Sequence, residues 1–171
     1  MEYFDVVDIN KNKTNKVLPR GSTLQEGEYN VGVEVWIINS NNELLITQRS
    51  PLKSHPLQWE IPGGCLVAGE TSVEGAIREL EEEIGLNINV DNLHFITTHL
   101  YKYQHVDIFT VKLDVSLSEL TLQNEEISDA RLVSISEFLK LNSENQIVPS
   151  VFERYNLIKN FLSWWRIPTY L

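Results

Sequence analysis

Between Gly64 and Leu86 the chain sets glycines, glutamates and one arginine at fixed offsets. Gly64 is followed by five residues and Glu70, and seven more lead to Arg78-Glu79-Leu80-Glu81-Glu82-Glu83-Ile84-Gly85-Leu86. Glu79, Glu82 and Glu83 stand at i, i+3 and i+4, so a helix carries them on one face. Three carboxylates this close repel one another and would destabilise an isolated helix. A hard divalent cation among them removes the conflict, and an oxygen-only donor set suits magnesium or manganese. A solvated acidic helix face is the plainer reading of three glutamates by themselves. The lead-in Ile61-Pro62-Gly63-Gly64 argues against it, because glycine lets backbone amides and carbonyls come close to a metal or phosphate.

A helix must hold this cluster, and the sequence marks its ends and its inner side. Thr71 and Glu74 have capping-box spacing, which starts the helix there. Val73, Ala76, Ile77, Leu80 and Ile84 form a separate apolar stripe, the side that faces a core. Glu81 points away from the acidic cluster into solvent, and Glu74 and Arg78 have the favourable order for an i, i+4 ion pair. Around this helix the pattern alternates in strands. They are expected over residues 3–9, 31–37 and 44–47, in a hairpin of 95–100 with 106–113 about residues 102–104, and over 130–133. Polar turns are expected at Asn10–Asn15 and Asn39–Asn42. A helix opens at Ser134 or Ser136, and a last one covers about 151–162 after Pro149-Ser150. Strands on both sides of one central helix, with helices at the end, make a mixed α/β chain.

Composition narrows the class. A chain of 171 residues is enough for one domain with a real core, here residues 1–171. The single cysteine, Cys65, has no partner for an internal disulfide, and Met1-Glu2-Tyr3-Phe4-Asp5 lacks the basic start and apolar stretch of a signal peptide. No apolar run is long enough to span a bilayer. The expectation is a soluble, cytoplasmic protein. A net charge of −10 argues against a nucleic-acid polymer as partner, whereas a small phosphorylated substrate is compatible once cations neutralise the site. No membrane partner is expected, and self-association into a homodimer stays open.

The Gly64–Leu86 pattern resembles the Nudix box, the signature of enzymes that hydrolyse a nucleoside diphosphate linked to another moiety. With a usage of about 7% for each specified type, its seven polar or glycine positions match by chance at roughly one start in 10⁸, and all of them match here. The resemblance implies a Nudix fold, a mixed β-sheet sandwiched between α-helices, with the box helix carrying the site. Outside the box, Asp5-Val6-Val7-Asp8, Glu28-Tyr29-Asn30-Val31, Arg49, Lys53 and Trp59 are arranged as in the isopentenyl-diphosphate isomerase branch of that superfamily. Positions matching Arg49 and Lys53 there help bind a diphosphate, which suits their charge-assisted hydrogen bonding.

The isomerase chemistry itself does not carry over. Gly63 stands where those enzymes have a catalytic cysteine, and Cys65 and Asn30 stand where they have metal-binding histidines. His105 and Asp107 match two acidic positions, and those enzymes depart from the box at Glu79 and Glu82. A non-catalytic nucleotide-binding module is the other alternative, but such modules usually lose box glutamates and this chain keeps them all.

The expected enzyme is therefore a metal-dependent Nudix pyrophosphohydrolase acting on a nucleoside di- or triphosphate derivative or a similar small organic diphosphate. Its metal, Mg2+ or Mn2+, would be held by Glu82, Glu83 and the Gly63 carbonyl, with Glu79 sharing the metal or taking the proton of the attacking water. Arg78 would orient Glu79, and Glu70 would fix the loop. Glu126 precedes a strand at a place where many Nudix enzymes supply a further acid. His105 and Asp107 are expected near the site, on their strand. Trp59 and the Trp164-Trp165 pair read as packing residues.

Overall fold

The computed structural model describes residues 2–165. Its elements in chain order are strands β1 (Tyr3–Val7), β2 (Lys13–Pro19), β3 (Asn30–Ile38), β4 (Leu44–Arg49) and β5 (Trp59–Glu60), then helix α1 (Ser72–Ile84). Strands β6 (His94–Tyr101), β7 (Gln104–Lys112) and β8 (Ile127–Val133) follow, and helices α2 (Ile135–Ser143) and α3 (Pro149–Trp165) close the chain. β1 and β2 form a separate antiparallel hairpin, while the main sheet runs β5-β4-β3-β7-β6 with β8 on β4. Only β3 and β7 run parallel, paired from Asn30↔Gln104 to Ile38↔Lys112.

Side-chain parity divides two cores across this sheet. Val33, Val35 and Ile37 of β3 and Phe109 and Val111 of β7 pack on Ala76, Leu80 and Ile84 of α1. Trp36, Ile38, Val106 and Ile108 face the other way, onto Phe138 of α2 and Val151, Tyr155, Ile158 and Leu162 of α3. The mixed sheet between helices is thus observed, and the apolar stripe of the box helix lies against it. No helix among the described residues is long and apolar enough to cross a membrane.

The expected strands all occur, several of them longer than the pattern suggested. Two elements differ from it. The polar stretch Asn10–Asn15 holds a turn, with the Asp8 carboxylate accepting from the backbone of Asn10 and Asn12, but from Lys13 the chain re-extends as β2. Its largely exposed, polar residues gave no alternation to detect; pairing with β1 (Phe4↔Leu18, Asp5↔Val17) supplies the strand. β5 is only two residues long and is defined by Gln48↔Trp59 and Thr47↔Glu60.

What positions the site is a divergence. β3 and β4 pair only at Ile38↔Leu44, after which β4 turns to β8 and β5. The glycine lead-in enters the gap: Val33 and Val35 donate to the carbonyls of Gly64 (2.8 Å) and Pro62 (2.9 Å), and Leu66 donates to Val31 (2.9 Å). From there Thr71 caps α1 through the expected box, its side chain accepting from Glu74 N and Glu74 accepting from Thr71 N. Gly85, at φ 68°, ends the helix in the left-handed conformation. The expected Glu74–Arg78 pair does not form, because Glu74 is spent on Thr71 and Arg78 turns to other carboxylates. Leu80, fully buried one position after Glu79, anchors the helix to the sheet. Leu80→Ala should therefore cost about 2–5 kcal/mol of stability, read as a drop in the denaturant midpoint at unchanged slope.

Candidate active site

The box loop presses glycine backbone against both β3 and α1. A Cβ on Gly63, whose φ is 152°, would fall 2.1 Å from the Val33 carbonyl oxygen, and one on Gly64 would fall 2.4 Å from a Glu79 carboxylate oxygen. Only glycine leaves room for that approach. Behind it Arg78 gathers the acids. Its Nε donates to Glu70 Oε1 (2.7 Å), Nη2 to Glu70 Oε2 (3.0 Å) and the Cys65 carbonyl (3.1 Å), and Nη1 to Glu79 Oε1 (3.0 Å) and Glu82 Oε2 (2.8 Å). Glu70 also accepts from Val67 N (2.9 Å). Arg78 and Glu70 thus tie the loop to the helix and aim Glu79. Glu81 is exposed.

Burial sets the electrostatics. Glu79 and Glu83 are only 6% and 3% exposed. The Glu83 carboxyl is pushed up to about 8, first by burial, then by Glu60 and Glu79, against Lys53 and the Gly63 amide that bonds it at 3.2 Å. Glu79 is raised by burial against the pull of Arg78. Glu60 is raised by burial against Arg49 and Lys53. Repulsion within the helix triad is the cause the sequence suggested, yet desolvation leads, and the strongest like-charge neighbour of Glu83 is Glu60 on β5.

A cleft of about 740 Å³ opens over these groups, and Arg49, Lys53, Gly63, Gly64, Glu79, Glu82, Glu83 and Glu126 all line it. Arg49 is held by Glu60 (2.6 Å) and by the carbonyl and hydroxyl of Ser54 (2.5 and 3.0 Å). Lys53 forms an ion pair with Glu126 and lies 3.9 Å from Glu83. The structure therefore brings together every residue singled out for metal, catalysis or diphosphate. It also adds Glu60, Arg20, Glu34 and Arg154 to the lining. Glu60 had one signal, its place three residues before Gly63; Arg154 had none, since its partner Glu34 lies 120 positions away.

His105 and Asp107 do not join the site. Their neighbours Gln104 and Val106 line the cleft, so strand parity turns these two to the opposite face. Asp107 is buried, accepting from Lys11 (2.6 Å), Thr98 (2.5 Å) and Ser72, and His105 Nε2 lies 3.1 Å from the Asp8 carbonyl. The Cys65 sulfur accepts from Gln104 Nε2 at 3.0 Å, and burial raises its thiol, which favours the protonated form. Trp59 is a buried packing residue beneath Arg131; the side chains of Trp164 and Trp165 lie outside the described residues.

Oxygen donors from Glu79, Glu82, Glu83 and the glycine loop suit a hard divalent cation. Among the described residues no three acidic, histidine or cysteine side chains are gathered around one point. Glu79 and Glu82 are drawn to Arg78, and Glu83 to Lys53 and the Gly63 amide, so each must shift a contact to meet a cation. Burial raises Glu79 and Glu83, and a cation at their oxygens would favour the ionised forms that burial disfavours.

The family model of the NUDIX domain matches residues 28–155. An uncharacterised Nudix hydrolase of Listeria monocytogenes is 34% identical over 154 residues, covering 89% of this chain and 91% of the relative. A crystal structure from Deinococcus radiodurans shares the fold at a TM-score of 0.72 and 20% identity, over 86% of this chain and 92% of that one. A bifunctional NMN adenylyltransferase/ADP-ribose pyrophosphatase of Francisella tularensis, solved with AMP and a manganese ion, aligns at a TM-score of 0.62 and 20% identity, over 78% and 42%. With box, fold and relatives in agreement, the chain belongs to the Nudix family and is a hydrolase of that class.

The raised Glu83 makes a pH prediction for the metal-free protein. Its folded value lies above its unfolded one, so the native state holds the extra proton between about pH 4.5 and 8. Stability measured in chelator should fall as pH rises through that window. Glu83→Gln should flatten the fall, checked by melting temperature against pH.

Proposed function

We propose that the protein hydrolyses the diphosphate linkage of a small nucleoside di- or triphosphate derivative, or a closely similar organic diphosphate, with magnesium or manganese. The observation that carries this reading is one cleft lined both by the acids Glu79, Glu82 and Glu83 beside Gly63 and by the basic groups Arg49 and Lys53. The Francisella neighbour's AMP and manganese support the ligand class. Glu82, Glu83 and the Gly63 carbonyl would hold the cation. When bound, it neutralises phosphate oxygens and lowers the pKa of a water. Glu79 would share that cation or take the proton of the attacking water, whose oxygen bonds to phosphorus as the bridging P–O bond breaks and the bridging oxygen leaves with the other phosphoryl product. Arg78 orients Glu79 through its bond to one carboxylate oxygen, and its contact with the exposed Glu82 gives way when the cation is taken up. Arg49 and Lys53 receive the diphosphate oxygens, with Lys53 leaving Glu126, and Glu126 is then free as a further acid. The lone thiol and net charge of −10 fit a cytoplasmic setting.

Isomerase chemistry is the weaker reading. Gly63 replaces its cysteine, and Cys65 has a raised thiol tied to Gln104.

A panel of nucleoside di- and triphosphates, dinucleoside polyphosphates, nucleotide sugars and isoprenoid diphosphates, assayed with magnesium and manganese, tests the assignment. Conversion of isopentenyl to dimethylallyl diphosphate at a useful rate would overturn it. On the best substrate Glu82→Gln should lower kcat by about a hundredfold or more; unchanged turnover would sink the metal assignment. Independently of substrate, millimolar magnesium should raise the melting temperature near neutral pH by binding the native state. That gain should shrink as pH falls and protons compete for the same oxygens. Glu82→Gln with Glu83→Gln should abolish the gain and leave the metal-free fold intact.

A further inference from the structure

The wall of the cleft built by β3, β6, β7 and α3 differs from the box side. Its buried charges are Glu34 of β3 and Arg154 of α3, 3% and 8% exposed and both lining the cleft, with Lys102 of the β6–β7 turn at its edge, 5.2 Å from the Tyr101 ring centroid. Arg154 Nε donates to one Glu34 oxygen at 2.6 Å, Nη2 lies 2.5 Å from the same oxygen, and the Trp36 indole donates to the other at 2.8 Å. A buried ion pair is weak evidence for a stability role, since apolar residues often serve as well. Its position on a ligand cleft calls for a different account.

Both Glu34 oxygens are engaged, so the carboxylate is fixed and in turn fixes the guanidinium plane. The remaining guanidinium N–H groups can only donate. Arg154 is balanced by a carboxylate that is itself buried and doubly bonded, whereas the carboxylate facing Lys53 is more exposed and free to leave, so a neutral acceptor suits the Arg154 edge. A donor edge at this point accepts a carbonyl and rejects an amino group, which would set donor against donor. The Tyr101 ring, Val106 and Val151 line the same wall, and such surfaces suit a flat ring.

We propose that Arg154, held in place by Glu34, reads the head group of the substrate by donating to a ring carbonyl. It thereby selects bases that carry an oxo group where adenine and cytosine carry an amino group. This rests on the nucleotide-hydrolase reading above and names the half of the substrate that the box does not specify.

The test compares kcat/KM for GTP and UTP with that for ATP and CTP, using the full chain and magnesium. The wild type should favour the oxo bases by about tenfold or more, and Arg154→Lys should bring the ratio below about threefold. Glu34→Gln, which loosens the guanidinium, should lower the ratio in the same direction. A ratio within one preparation cancels the folded fraction, so a purely structural role for the pair would leave it unmoved. A wild-type ratio near one, or one that survives either substitution, overturns the proposal. If none of the four is hydrolysed, the hydrolase reading fails for this class. Equilibrium binding of GMP and UMP against AMP and CMP then decides the matter: the same preference supports Arg154 as reader, and its absence overturns it.

Discussion

The site depends on a gap between two strands being filled by backbone. β3 and β4 separate after a single register pair, and Pro62, Gly63 and Gly64 take the place of a neighbouring strand against β3. Hydrogen bonding of the β3 amides requires that something fill this place, since unpaired buried amides are costly. Side chains there would collide with the Val33 carbonyl on one side and the Glu79 carboxylate on the other. The glycines are thus a consequence of sheet geometry. Their effect is chemical, because the same close approach lets a loop amide meet Glu83 and brings loop backbone beside Glu79.

From that constraint follows a cluster of buried carboxyl groups. Glu60, Glu79 and Glu83 all lie against the loop with raised carboxyl pKa values. Three cations answer them in part. Arg78 serves Glu79, Arg49 serves Glu60, and Lys53 divides its charge between Glu83 and Glu126. Arg78 is the most committed, with bonds to Glu70, Glu79, Glu82 and the Cys65 carbonyl, and this network raises its own pKa further. Burial makes these carboxyls hold their protons, so a cation arriving here competes with protons for the same oxygens.

How much of this was legible in the sequence follows from range. The box helix could be read completely, its cap, its apolar stripe and its acidic face, because each signal lies within a few residues. Arg78's real partners were only half visible: Glu79 and Glu82 are helical neighbours, while Glu70 becomes one through the loop's return. β2 escaped because polar residues paired on an exposed hairpin leave no apolar alternation. Asp107 was expected near the site because its strand passes there; the strand does line the cleft through Gln104 and Val106, and parity turns Asp107 itself to the other face. Arg154 and Glu34 could not be paired in advance, since only the folded sheet and α3 bring them together.

The N-terminal hairpin shows how far the support of the site extends beyond residues 28–155, the span of the family match. Lys11 follows β1 and reaches buried Asp107 on β7, and Ser72 at the start of α1 donates to the same carboxylate. Asp5 accepts from Gly69 N at 2.9 Å, and the Tyr3 carbonyl accepts from Ala68 N at 2.8 Å, both just before the helix cap. The hairpin therefore grips the first turn of the box helix and the loop leading into it. Gly85 and the backbone bonds from Thr121 to Ile84 and from Gln123 to Glu83 hold the other end. A helix that carries mutually repelling carboxylates gains little from its own propensity. It is kept in place by its buried stripe and by these clasps at both ends, so the acids face the cleft without relaxing away from one another.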